Sequence, residues 1–411
     1  MKILVLNSGS SSQKSCVYEI GDVLPAHPPE PVWEGKIEWK DGPAEIRLRN
    51  SHGAALKESL KMVSYAAATE RLLDMLSSGK VPGVAATSEI DMVGHRIVNG
   101  GSDYTEPTLI TPEVKSAIAR MAALAPLHNR AELAGIDLVE KKLGAVRQVA
   151  VFDTGFHSRL PEAAAVYPGP YEWFEQGIRR FGFHGINHQY CAGRAAQLLG
   201  KDLHELKLVT CHLGNGCSLA AIRGGKSIDT TMGFTPLEGL MMGTRSGSID
   251  PGILTYLIRK GQYTAQQLDE LLNTKSGLLG ISGVSGDMGQ IEAAIKKGHT
   301  RAKLAFNIFI HRLSAGIGAM IAALGGIDAL IFSAGIGENS SEVRAATSSS
   351  FEYLRLKLAP EKNQHCSQDG DIAMADSAVR VLVIRAQEDW AIARDCWNLA
   401  STVPTNLASA T

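Results

Sequence analysis

An α/β fold of two related lobes with a nucleotide cleft between them is what this sequence predicts, on three observations. First, a short apolar run ending in small, donor-rich residues occurs twice. Ile3 to Leu6 leads into Asn7-Ser8-Gly9-Ser10-Ser11-Ser12, and Leu208 to Leu213 leads into Gly214-Asn215-Gly216-Cys217-Ser218. A second strand-like run follows each turn, Ser15 to Tyr18 and Leu219 to Ile222, so both read as β-hairpins. Small tips let backbone N–H groups and Ser hydroxyls approach phosphate oxygens, and glycine supplies positive φ. A lone turn of this kind is usually just a tight hairpin; its recurrence at the start of each half is what points to a phosphate clamp. Second, strand-like runs alternate with helical ones beyond each hairpin, the pattern of α/β lobes. Third, 411 residues at 45% apolar content suffice for two or three domains with buried cores.

Charge narrows the partners. Lys plus Arg (41) nearly cancels Asp plus Glu (42), and no long basic run occurs, which argues against nucleic acid or a membrane surface and for a small molecule. The apolar run at Ile3 to Leu6 is too short for a signal peptide, so a cytoplasmic location is expected. Leu304 to Leu324 is long and apolar but carries His311 and Arg312; the expectation is a buried helix, not a membrane span. The six cysteines show no CxxC pair or metal-ligand spacing and read as reduced packing residues.

Taken in order, the first hairpin is followed over residues 22 to 60 by alternating pieces such as Val32 to Trp39, read as continued antiparallel sheet. Ser64 to Ser78 is amphipathic, with Leu72, Leu73 and Leu76 together and Gly79 as C-cap. Met92 to Val98 reads as a strand, and Gln148 to Phe152 as the last strand of the first lobe. The second half repeats the plan: a hairpin from Leu208 to Ile222, helices, then the strand Ala329 to Ser333 running into Ala334-Gly335-Ile336-Gly337-Glu338-Asn339. A strand at Val379 to Ile384 precedes a helix from near Gln387 that packs back on the first lobe. The lobes are therefore drawn as 1–152 plus 385–411, and 153–384.

Several residues could carry chemistry. Asp153 sits where a strand ends, the edge at which open α/β sheets bind ligands, although a helix N-cap is an equal reading. Arg96 follows Gly94-His95, and Arg245 lies in the Gly-rich Met242-Gly243-Thr244-Arg245-Ser246-Gly247. A lone Arg is usually a solvated charge, but two beside small residues suit a bidentate anion clamp. His184, in Phe181-Gly182-Phe183-His184-Gly185, has a context that could aim its imidazole into a cleft, against the commoner structural role. His128 has a weaker claim. Glu388 on its own would be an ordinary first-turn acid.

Together, the Leu6 to Ser12 turn with Lys14, Gly94-His95-Arg96, Phe152-Asp153-Thr154, Arg180 to Gly185, the Arg245 loop and Ala334 to Ser340 closely resemble the acetate kinase family of the actin-like ATPase superfamily. The likeness spans nearly the whole chain. It implies two actin-like lobes, with ATP phosphates near Ser12, Lys14 and the turn His212, Gly214, Asn215 and Gly216. Adenosine would lie against Gly335, Ile336, Gly337, Glu338 and Asn339. It further implies that Arg96 and Arg245 hold the acid and the transferring phosphoryl group, that His184 donates to that group, and that Asn7, Asp153 and Glu388 organise Mg²⁺, with Mn²⁺ able to replace it. Val98, Leu127, Phe183 and Pro236 match the pocket that limits the acid to the size of acetate. The resemblance also implies a homodimer, with acetate, acetyl phosphate, ATP and ADP as its ligands.

The sequence departs from the family pattern at Asn99, where His is common, and at Ile186-Asn187, where Thr-Ser is usual. Two other readings remain. One is a kinase of a slightly larger acid such as propionate; the other is an actin- or chaperone-like ATPase module, which would not need Arg96, His184 and Arg245 together.

Overall fold

The structure is a computed structural model that describes residues 1–8, 12–39, 44–60, 64–121 and 129–402. The chain divides into two compact units, Met1–Gly155 with Gln387–Thr411, and Phe156–Ala386. The boundaries drawn from sequence at 152/153 and 384/385 thus fall at 155/156 and 386/387, and Asp153 belongs to the first unit.

In the first unit an eight-stranded sheet runs in the order β5-β4-β3-β2-β1-β6-β8-β7. Its strands are β1 (Lys2–Ser8), β2 (Ser12–Glu19), β3 (Trp33–Trp39), β4 (Ala44–Asn50), β5 (Ala55–Leu60), β6 (Met92–Ile97), β7 (Thr108–Leu109) and β8 (Arg147–Phe152). β1 to β5 form the expected antiparallel meander, while β6 lies parallel to β1 and β8 parallel to β6. β1 is apolar at four successive positions, Ile3 to Leu6, because it lies central in the sheet with both faces covered. The helix Tyr65–Asp74 starts where Ser64 accepts the N–H of Ala67, but it stops at Asp74. The expected continuation to Ser78 fails: Met75, in αR geometry, closes the last turn, and Gly79 lies in the following loop with φ +86°. The helix Glu388–Thr402 packs on the sheet as expected. Gly94 allows this, since a β-carbon there would stand 2.6 Å from Ile392 Cγ2 and 2.7 Å from Cys396 Sγ.

The second unit holds a six-stranded sheet in the order β11-β10-β9-β12-β14-β13. Its strands are β9 (Lys207–Leu213), β10 (Cys217–Arg223), β11 (Lys226–Thr230), β12 (Ala329–Ser333), β13 (Gly370–Asp371) and β14 (Arg380–Val383). The β9–β10 hairpin pairs antiparallel and β12 lies parallel to β9, the same plan as β1, β2 and β6. The repeat seen in sequence is therefore a repeat of topology.

Of the described helices, Thr300–Leu324 alone is long and apolar enough to cross a membrane, and only a third of its most apolar stretch is buried. The expected buried helix is buried along one face only. Its buried residues, among them Ala302, Ala305, Phe309, Leu313, Ile317, Met320 and Leu324, recur every three or four positions along one stripe, and His311 and Arg312 are exposed. Of the six cysteines five are buried and Cys366 is half-buried, none of them in a disulfide.

Candidate active site

In the first unit the site is built at the ends of β1, β6 and β8. Arg96, near the end of β6, is almost buried; its Nη2 donates to Asp153 Oδ2 at 2.7 Å and its Nη1 to the Ser8 carbonyl at 2.9 Å. Burial opposes the guanidinium charge, but Asp153, Glu388 and Glu132 hold the arginine above its ordinary range. The fork is thus fixed in place, and among the described residues nothing accepts from the buried Arg96 Nε. Asp153 is not the N-cap that its position allowed; it is wholly buried and pairs with Arg96, while its N–H donates to Ile97.

Asn7 and Lys14 face each other across the β1–β2 hairpin. Asn7 Nδ2 donates to Asp389 Oδ1 at 2.8 Å and to Glu388 Oε2 at 3.2 Å, tying the hairpin to the first turn of the 388–402 helix. Asp389 above all, with Glu388 adding, raises the Lys14 ammonium pKa against the effect of burial. Ser12 opens β2. The hairpin tip, Gly9 to Ser11, lies outside the described residues, as do Leu127 and His128.

Val98 is buried, and both carboxyl oxygens of Glu132 lie 3.2 Å from its N–H, one turn inside the helix Asn129–Leu143. Burial pushes the Glu132 carboxyl up to about 8, against the pull of Arg96 and of the Val98 N–H. Neither Glu132 nor Asp389 was singled out from sequence, because a lone helical acid carries no sign of what it will meet. Asn99, the departure from the family pattern, accepts the N–H of Gly101 at 2.8 Å and shapes the turn after β6.

In the second unit His184 precedes the helix Gly185–Leu199 with φ 57°, a left-handed conformation that turns its ring off the helix path. The ring stacks on His212 at 3.9 Å, and Nδ1 shares a 2.8 Å hydrogen bond with Ser218 Oγ. Asn187, the other departure, donates to His212 Nδ1 at 2.9 Å and so holds the stacked ring. The β9–β10 turn is closed by Gly214 N–H donating to the Gly216 carbonyl, and Asn215 O accepts from Gly243 in the loop that bears Arg245. A β-carbon on Gly216 would stand 2.6 Å from Arg245 Nη2 and 3.3 Å from His184 Nε2, so glycine is what lets the guanidinium and the imidazole converge on this turn. Arg245 Nη1 donates to the Pro236 carbonyl at 2.6 Å, and Phe183 is buried beside His184.

Arg180 has a different part from an anion ligand. It donates to the carbonyls of Thr230, Thr231 and Met232 and pairs with Glu238 at 2.7 Å, bracing the segment beyond β11. Gly335, Ile336, Gly337, Glu338 and Asn339 form a short helix, Ala334–Asn339, at the end of β12. It is held by the buried Arg344, whose Nη1 donates to the carbonyls of Gly337 (2.9 Å) and Glu338 (2.8 Å). Arg344 was also missed from sequence.

The acetokinase family model matches residues 2–394. The chain belongs to the acetokinase family. Acetate kinases from Cyanothece and Nostoc are 59% and 58% identical over 404 and 402 residues, covering 98% and 97% of this chain and 99% of each relative. Among solved structures, the acetate kinase of Porphyromonas gingivalis superposes with a TM-score of 0.87 at 39% identity, over 97% of this chain and 99% of that one. The propionate kinase of Francisella tularensis gives 0.86 at 36% identity, over 96% and 98%. As an acetokinase the chain is a phosphotransferase, and its two-sheet α/β frame is the actin-like ATPase fold.

Proposed function

We propose that the chain transfers the γ-phosphoryl group of ATP to acetate, directly and in line, giving acetyl phosphate and ADP, and that it runs in both directions. The observation that carries this reading is the preorganised Arg96, a buried cation pinned at the strand ends by Asp153 and the Ser8 carbonyl. A carboxylic acid is ionised at neutral pH and needs no base, so the obstacle is bringing two anions together. That is met by charge and positioning. Arg96 neutralises the acid, while Arg245 and His184 donate to the oxygens of the transferring group. Val98, Phe183 and Pro236 bound the space for the acid's methyl group. The β1–β2 and β9–β10 turns, with Ser12, Lys14, His212, Gly214, Asn215 and Gly216, take the ATP phosphates, and residues 335–339 take adenosine.

The donor set suits Mg²⁺. Asn7, Glu388 and Asp153 offer only hard oxygens, and among the described residues no three His, Cys, Asp or Glu side chains form a ready-made cage. Mg²⁺ characteristically binds through one or two carboxylates together with substrate phosphates. Asn7 spends its amide nitrogen on Glu388 and Asp389, so its carbonyl oxygen is the atom it would offer. When bound, the ion neutralises phosphate charge; Asp153 fixes Arg96 and takes no proton.

A homodimer in the cytoplasm fits the second unit, where Ile253, Tyr256, Ile258 and Leu304 are exposed and the 300–324 helix leaves its other face uncovered. The test of the activity is hydroxylamine trapping of the acyl phosphate, with acetate and propionate compared. Acetyl hydroxamate above the enzyme-free control is expected, and its absence would refute the assignment. Faster turnover of propionate than of acetate would instead favour the larger acid.

A further inference from the structure

Behind His184, away from the face it offers to substrate, runs an unbroken chain of hydrogen bonds. His188 follows His184 by four residues, one turn along the 185–199 helix, so the two imidazoles lie over the same stretch of the β9–β10 hairpin. Ser218 stands between them: its Oγ is 2.8 Å from His184 Nδ1 and 2.7 Å from His188 Nε2. The far nitrogen of His188, Nδ1, is 2.7 Å from Thr210 Oγ1, on the strand paired with that of Ser218. Thr210, His188 and Ser218 are all buried.

The chain has one self-consistent direction. A hydroxyl carries a single proton, and among the described residues the two imidazoles are the only partners of Ser218 Oγ, so it donates to one and accepts from the other. Among the described residues Thr210 Oγ1 makes one side-chain hydrogen bond, to His188. If His188 donated to it, the buried threonine proton would have no acceptor, the expensive arrangement. Thr210 therefore donates to His188 Nδ1, His188 Nε2–H donates to Ser218, and Ser218 donates to His184 Nδ1. Burial, with His157 and His212 adding, holds His188 well below the ordinary imidazole value, so it is neutral and keeps one N–H and one lone pair.

We propose that Thr210, His188 and Ser218 act as a directional relay that fixes neutral His184 as its Nε2–H tautomer, with the donor nitrogen presented to the transferring phosphoryl group. This rests on the donor role given to His184 above. The three are positioning residues and touch no reacting atom. The cations and imidazoles around the relay are Arg245 and His212 beside His184, and His157 and His212 beside His188.

The experiment is long-range proton–nitrogen correlation NMR on the full chain carrying isotope-labelled histidine, without substrates, alongside steady-state kinetics. In the unsubstituted protein His184 should show an unprotonated Nδ1 and a protonated Nε2. Thr210→Val, close to isosteric but without the hydroxyl, should flip His188 and leave His184 a mixture of tautomers. Its kcat should fall at least about tenfold, in keeping with the larger losses that follow a mis-set catalytic tautomer, with KM for acetate little changed. Thr210→Ser restores the hydroxyl and should restore both the spectrum and kcat. Ser218→Ala should give the same mixed signal at His184. A Nδ1–H tautomer in the unsubstituted protein, or an unaltered His184 spectrum in folded Thr210→Val, would overturn the relay. The spectra are recorded without substrate, so a protein that made no acyl phosphate yet showed these tautomers would retain the relay and lose only the functional reading.

Discussion

Arg96 and Glu132 lie on the same unit, share an electrostatic environment, and have opposite protonation consequences. Arg96→Ala should lower turnover by about 10²-fold, the scale of removing a transition-state donor, and Arg96→Lys should rescue poorly because an ammonium cannot reproduce the planar fork. Steady-state kinetics on folded variants checks this, and near-normal turnover in Arg96→Ala would count against the clamp. Glu132 shows itself instead in stability. Its folded carboxyl is pushed up to about 8 from an ordinary 4.5, so between those values the folded chain holds a proton that the unfolded chain has lost. Its contribution to stability is thus full below pH 4.5 and declines as pH rises through 8. Glu132→Gln should remove that part of the decline, so melting temperatures at pH 5 and pH 8 should differ less than in the unsubstituted protein. Arg96 could be picked out in the sequence by its Gly94-His95 context. Glu132 could not, because its partners Arg96 and Val98 lie at and just past the end of a strand more than thirty residues away.

At the scale of elements, local signals were the readable ones. Both hairpins, the strand ends at Phe152 and Ser333, and the return of the last helix follow from alternation, glycine placement and apolar runs. What escaped is the bracing of one element by another, such as Asp389 on Asn7, Asn187 on His212 and Arg344 on the 334–339 helix. Each is a polar side chain whose partner lies outside its own turn of helix or strand, indistinguishable in sequence from a surface residue. Arg344 gives this a functional edge, since it holds two carbonyls of the segment assigned to adenosine and touches nothing assigned to the acid. Arg344→Met should therefore raise KM for ATP several-fold and leave KM for acetate nearly unchanged. Equal rises in both would mean that the whole unit had loosened.

On the scale of the whole molecule, repeated topology gives each unit a hairpin beside a parallel strand, and each unit carries cationic groups close to its hairpin. The exposed apolar side chains of the second unit make association the whole-molecule prediction. Light scattering should give twice the 43.9 kDa chain mass, and Tyr256→Glu should shift it toward a single chain. The central claim is direct transfer between two bound anions, with no phosphorylated enzyme and no general base. Its most direct test uses ATP made chiral at the γ-phosphorus with oxygen isotopes, followed by stereochemical analysis of the acetyl phosphate formed. One in-line displacement predicts inversion of configuration at phosphorus. Net retention would mean two displacements through a phosphorylated side chain, and would contradict the roles assigned here to Arg96, His184 and Arg245.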